Sequence, residues 1–294
     1  MFHKQSTNAL FKLLKQYLVI AGLVCTAFTF VSNPINAQEK TELILARAPQ
    51  SSPLVLYQQW TPFVESLSKT TNIKITLKVY KNRSQFENAL LAGEMDLLFC
   101  NPYYYHLAHE KHGYISLVRN NRKGLEGILL VRADSEVRNI SQLNDKVIAF
   151  PSPNAFAASL YLRAYLVEVE GINFEPFYVG THDNVYRQIS SGQVIAGGGI
   201  VRTLNFQPDD LRQRLKIIYR TELLASHPLS TSPLVSERQR EAILSAIFQL
   251  SRTDEGKALL KTIKLSNPIG ANHDLDYAPL GKMNISKYAS IGKD

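Results

Sequence analysis

Three groups of residues in this chain have the types and spacing to do chemistry. His106, His109 and His112 recur at intervals of three. On a helix that spacing can bring imidazoles to one face, as a metal ion requires. No cysteine accompanies them, and the neighbouring carboxylate, Glu110, points elsewhere on a helix. The expected reading is an exposed polar face with no metal and no cofactor. Asn101-Pro102-Tyr103-Tyr104-Tyr105 is the second group. Proline suits the first turn of a helix, where its missing N–H costs nothing. Three successive tyrosines cannot all face one core, so at least one is expected to face a cleft. Cys100 is the third, set in the apolar run Leu97-Leu98-Phe99-Cys100 and read as an inert buried thiol. No Gly-rich phosphate loop, zinc spacing, nucleophile elbow or nucleophile–base pair is present, so an enzyme is not expected.

Elements that must position these residues follow from periodicity. Gly93 to Ala108 reads as a short buried strand feeding a helix N-terminus. In open α/β sheets such turns, at the carboxyl ends of strands, hold ligands. Glu42–Ala46 reads as the first strand, 54–69 as a helix, and Ile73–Val79 as a half-buried strand by its alternation. Ser84 with Glu87 three residues on reads as a capping box. Further strands are expected at 114–118, 127–131, 146–150, 177–179, 194–196 and 215–219. Helices are expected after Pro153, at Thr181–Asp183, and from Ser236 and Thr253, with a tail from Pro268 that is mostly loop. The rhythm of 146–219 repeats that of 42–118, which suggests two α/β lobes.

Residues 1–37 have the pattern of a secretory leader. Lys4, Lys12 and Lys15 precede an uncharged apolar run, Tyr17–Val31, and a small-residue exit ending at Ala37. Removing them leaves 294 less 37, or 257 residues, and lowers the net charge from +8 to +5, because the leader holds three lysines and no acid. Cys100 is then the single cysteine, so no intrachain disulfide can form. The charge is modest and unclustered, which argues against a nucleic-acid partner. The expected location is the periplasm.

Several stretches together resemble the periplasmic solute-binding proteins of phosphate, phosphite and phosphonate ABC importers, the PhnD-like family. They are Pro49–Pro53, Gly93 with Asp96, Asn101-Pro102-Tyr103-Tyr104-Tyr105 with Ala108, Lys146–Phe150, Gly180-Thr181-His182-Asp183 and Asp276-Tyr277-Ala278-Pro279-Leu280. The resemblance implies an α/β, two-lobed type II periplasmic-binding-protein fold, with mixed sheets, flanking helices and two hinge crossings. Lobe 1 is expected to take 38–131 and 227–294, and lobe 2 to take 132–226. It implies a small, anionic ligand held between the lobes, and an ABC permease as partner. The alternative is a sensor of the same fold partnering a membrane signalling protein.

Carried over position by position, Tyr105 and His182 match the family's cleft. Gln50 and Ser51 lie in the opening loop, and Arg83 stands where the family has a tyrosine. Asn154 and Phe156 occupy the turn and helix start after the strand ending at Phe150. The family's Ser-Thr-Ser-Gly run is replaced by Ala155-Phe156-Ala157-Ala158, and its acidic residue near Gly197 by Ile195. The hydroxyl donors are lost, while a helix N-terminus remains. With an aromatic lining from Tyr105, Trp60 and Phe156, the expected ligand has one anionic end and an apolar or planar body. Phosphite and simple alkylphosphonates should bind weakly or not at all.

Overall fold

The computed structural model describes residues 40–121 and 124–291, so the expected leader lies outside the described residues. The chain opens with β1 (Glu42–Arg47), α1 (Pro53–Thr71), β2 (Lys74–Val79), α2 (Arg83–Leu91), β3 (Leu97–Phe99) and α3 (Pro102–His112). β1 pairs in parallel with β2 and β3, the arrangement that strand–helix alternation dictates. Helix α1 is capped by Ser52, begins at Pro53 and ends at a left-handed Asn72. Its Trp60, Phe63 and Leu67 join Leu43, Leu45 and Phe99 in one buried cluster.

β4 (Ile115–Asn120) completes this part of the first sheet, and the chain then passes to β5 (Gly127–Arg132). Strand β5 is hydrogen-bonded to β8 (Ala196–Ile200) and β9 (Leu215–Arg220), in a second sheet. The expected first-lobe limit at 131 is therefore too late. The apolar run Gly127–Val131 reads as a strand, but sheet membership depends on partners distant in sequence. The second sheet also holds β6 (Lys146–Phe150) and β7 (Phe174–Tyr178), in the order β7-β6-β8-β5-β9. Its helices are α4 (Tyr161–Glu168), α5 (His182–Ser190), α6 (Val201–Asn205) and α7 (Asp209–Gln213). Ahead of α4 the chain makes a wide π-helical turn, Phe156–Leu160. That turn lies directly on the sheet: a Cβ on Gly198 would come within 2.1 Å of the Ala158 carbonyl. Glycine is the residue that permits this approach.

After β9 the chain returns to the first sheet as β10 (Pro228–Thr231), antiparallel to β3 and β4. The two crossings are tied to each other, since Leu125 and Leu224 exchange backbone hydrogen bonds at 2.7 and 3.0 Å. α8 (Glu237–Leu250) and α9 (Asp254–Thr262) follow, then β11 (Pro268–Gly270), which adds to β4 at the edge. The first sheet thus has the order β11-β4-β10-β3-β1-β2. The expected mostly looped tail is instead this edge strand, α10 (His273–Asp276) and two tight 3-10 segments, Ala278–Met283 and Ile285–Tyr288. It returns to α4: Arg163 donates to the Tyr288 carbonyl at 2.6 Å, and Lys287 pairs with Glu168 at 3.2 Å. One buried cluster accordingly mixes Ala48, Cys100 and Tyr104 with Phe156, Tyr161 and Leu224, and with Tyr277 and Ile285 of the tail.

Candidate functional site

The loops at the carboxyl ends of β3 and β6 meet. Asn101 caps α3 by accepting from the Tyr104 N–H at 2.9 Å, and its amide reaches the Asn154 carbonyl at 3.5 Å. Asn154, 4% exposed, donates to Glu87 Oε1 at 3.0 Å and to the Ser290 carbonyl at 3.0 Å. Its own side-chain oxygen accepts from the Ser290 N–H at 3.0 Å. Glu87 lies on α2 and is only 2% exposed. It also accepts the Tyr104 hydroxyl at 2.5 Å. Burial, and then the Glu87 charge, push the Tyr104 hydroxyl strongly upward, so the proton stays on the phenol and serves as a donor. The expected capping box at Ser84 and Glu87 does not form. Asn82 caps α2 through the Gln85 N–H at 2.9 Å, which puts Ser84 inside the helix and turns Glu87 inward.

The chain that follows Asn154 is apolar. Phe156 is 6% exposed, with its ring 6.2 Å from that of Tyr161, and Ala157 is buried beside it. Arg163 props the turn from behind, donating to the Pro153 carbonyl at 2.7 Å and to Ser159 at 3.2 Å, with its guanidinium over Tyr178. His182 is the first residue of α5, capped by Thr181. Its Nδ1 is buried without a hydrogen-bond partner, and burial pushes its pKa down while Asp183 opposes the shift. The neutral imidazole is thus favoured. Arg83 is half-buried at the start of α2, near enough for its charge to favour ionisation of Tyr104.

Other expected residues go elsewhere. Gln50 accepts from Arg47 at 2.6 Å and contacts His227 at 3.2 Å, and Ser51 is exposed beside it. The Arg47 guanidinium is buried between the rings of Trp60 and Phe99, at 5.5 and 5.1 Å. Trp60 is therefore core, not cleft lining. Tyr105 has no exposed surface; its ring packs 4.7 Å from Tyr277 and its hydroxyl meets His273 at 3.2 Å. Tyr103 and Tyr104 are also buried, so none of the three tyrosines has an open face. All three belong to one buried cluster, because residues of α2, the turn at 156–160 and the returning tail surround α3 on every side, so the expectation that one core could not hold them is corrected. Cys100 is buried as expected, and burial raises its thiol. Glu87, Tyr104, Arg163 and Ser290 were not expected at the site. A glutamate between Phe86 and the Ala89-Leu90 pair was the one local sign of an inward carboxylate.

A family model described as the periplasmic substrate-binding protein of phosphonate ABC transporters matches residues 45–277. The phosphonates-binding periplasmic protein of Escherichia coli is 20% identical over 288 residues, covering 92% of this chain and 85% of its own. Among solved structures, a Xanthomonas citri protein bound to chloride superposes with TM-score 0.71 at 15% identity, covering 85% of this chain and 96% of its own. PhnD1 of Prochlorococcus marinus in complex with methylphosphonate superposes with TM-score 0.67 at 16% identity, over 84% and 98%. At these identities the structures establish the two-lobed type II fold.

Proposed function

The chain belongs to the family of periplasmic substrate-binding proteins of phosphonate ABC transporters, and on that premise we propose which ligand it delivers. Its cleft takes a small molecule with one anionic end and an apolar or planar body, in preference to phosphite or a bare alkylphosphonate. A membrane permease is the partner that receives this cargo, and the leader directs the chain to the periplasm. The fold's chemistry is capture and release, with no reaction step. The lobes divide at the crossings where Leu125 and Leu224 pair, and close about them on the ligand.

The observation that carries the ligand class is the buried Glu87 carboxylate, held 3.0 Å from the Asn154 amide where the two sheets' loops meet. A dense anion needs converging donors, since an unpaired buried charge is very costly. Here a carboxylate already takes the donors of Tyr104 and Asn154, and Ala155, Phe156 and Ala157 supply none from their side chains. The backbone N–H groups of the turn, with His182 opening α5 and Arg83 opening α2, suit a single anionic group. Phe156 and Tyr161 suit the apolar part.

Isothermal titration of the mature chain with methylphosphonate and phosphite tests this reading, alongside a thermal-shift screen of organic acids. The expected result is weak or absent heat with the two phosphorus oxyanions and a stabilising organic acid, since ligand binding to the native state raises the melting temperature. Sub-micromolar binding of methylphosphonate or phosphite would overturn it.

A further inference from the structure

The histidines read from sequence as a polar face come together differently in three dimensions. His109 on α3 stacks on His273 of α10, with ring centroids 3.5 Å apart. Glu110 joins them, and one ligand atom from each of the three residues lies within 4.8 Å of the others. His112 leaves the group, bonding the Leu91 carbonyl at 2.9 Å. His106, one turn earlier, lines the same open cavity of ≈ 450 Å³ as Glu110 and His273, and its buried Nδ1 has no hydrogen-bond partner.

The hydrogen bonds around the two rings fix the tautomer of His109 and permit the matching tautomer of His273. His109 Nδ1 lies 2.7 Å from the Tyr114 carbonyl, which can only accept, so Nδ1 carries the proton and Nε2 carries the lone pair. The Tyr105 hydroxyl lies 3.5 Å from the same carbonyl and 3.2 Å from His273 Nδ1. When the hydroxyl gives its proton to the carbonyl, its oxygen accepts from His273 Nδ1, which is the tautomer that a metal at Nε2 selects. A metal-binding histidine is oriented in this way, with its other nitrogen tied to a carbonyl or hydroxyl. We propose that His109, Glu110 and His273 form a binding site for a zinc-class divalent cation, with His106 or water completing four-coordination. Two imidazoles and a carboxylate are donors suited to zinc, copper or nickel rather than to magnesium or calcium. Bringing both Nε2 atoms to about 2.0–2.1 Å from one ion needs the stacked rings to turn apart. Each ring has its Nδ1 bond as a pivot for that turn. The ion would fasten the returning tail, which carries Ser290, to α3.

The test uses the mature chain without a histidine tag, stripped with a chelator and titrated with zinc chloride, with magnesium and calcium chloride as comparators. One equivalent of zinc should bind with a rise in melting temperature, and the comparators should give neither. His109→Asn and His273→Asn should each weaken zinc binding at least about tenfold. Tyr105→Phe, which removes only the positioning hydroxyl, should weaken it about 10-fold or more. Glu110→Gln changes an exposed position, so its loss of affinity is readable without a folding defect. His112→Asn should bind as the parent does. No zinc binding by the parent, or parent-like binding by the His109, His273 and Glu110 variants, would overturn the proposal.

Discussion

Asn154 and Glu87, 67 residues apart, join the turn after β6 to helix α2 through a 3.0 Å hydrogen bond. The same asparagine side chain gives to and takes from the backbone of Ser290, so one residue ties the second sheet to the first and to the tail. Both groups are buried, which makes each bond harder to replace with water.

Asn154→Ala removes three hydrogen bonds. At about 0.5–1.5 kcal/mol each, the native state should lose about 1.5–4.5 kcal/mol. Urea unfolding of the mature chain measures this through its midpoint at constant slope. A loss below about 0.5 kcal/mol would mean that water replaces the amide.

Glu87→Gln keeps a hydrogen-bonding group beside Tyr104 while removing a buried negative charge. Any anion held in the cleft should then bind at least about tenfold more tightly, because opposed charges in a low-dielectric site interact strongly. Titration of parent and variant with the best organic acid from the thermal screen reads this directly. Unchanged affinity would place the anionic end away from Glu87.

His227 links stability to pH. Burial, with the nearby charges of Arg47 and Lys264, pushes its imidazole down to about 3. Below about pH 6.5 the unfolded chain binds a proton that the native state refuses. Stability from this group is therefore full above about 6.5 and declines as pH falls towards 3, with a slope of at most about 1.4 kcal/mol per pH unit. Urea midpoints at pH 7 and pH 5 should differ in that sense, and His227→Gln should flatten the difference. Equal acid sensitivity in parent and variant would exclude His227 as its source.

Gly198→Ala would set a methyl 2.1 Å from the Ala158 carbonyl and 2.7 Å from the Phe150 ring. Overpacking of this kind costs about 1–3 kcal/mol or more, because the turn must lift off the sheet. Gly270→Ala is the matched control, since a Cβ there meets nothing within 4 Å and β11 is an edge strand. Thermal melts should show a large loss for the first and almost none for the second.

Local pattern was sufficient for much of this molecule. The alternation of Ile73–Val79 announced β2, Asn101-Pro102 announced the start of α3, and the strand–helix rhythm announced two α/β sheets. Those features depend on neighbours two to four residues apart, which any reading of the chain contains. The resemblance along the mature chain placed it in the right family for the same reason, since motif order survives in sequence. Tertiary structure decided the rest. Asn82, two residues earlier than the expected cap, starts α2 so that Glu87 faces inward, where Tyr104 and Asn154 donate to it. Tyr105 is claimed by Tyr277 and His273, residues that reach it only when the tail returns. Glu110 joins two histidines because α10 arrives beside α3 from 163 residues away. Burial of a polar group is settled by partners distant along the chain, and no local periodicity encodes which partners those are.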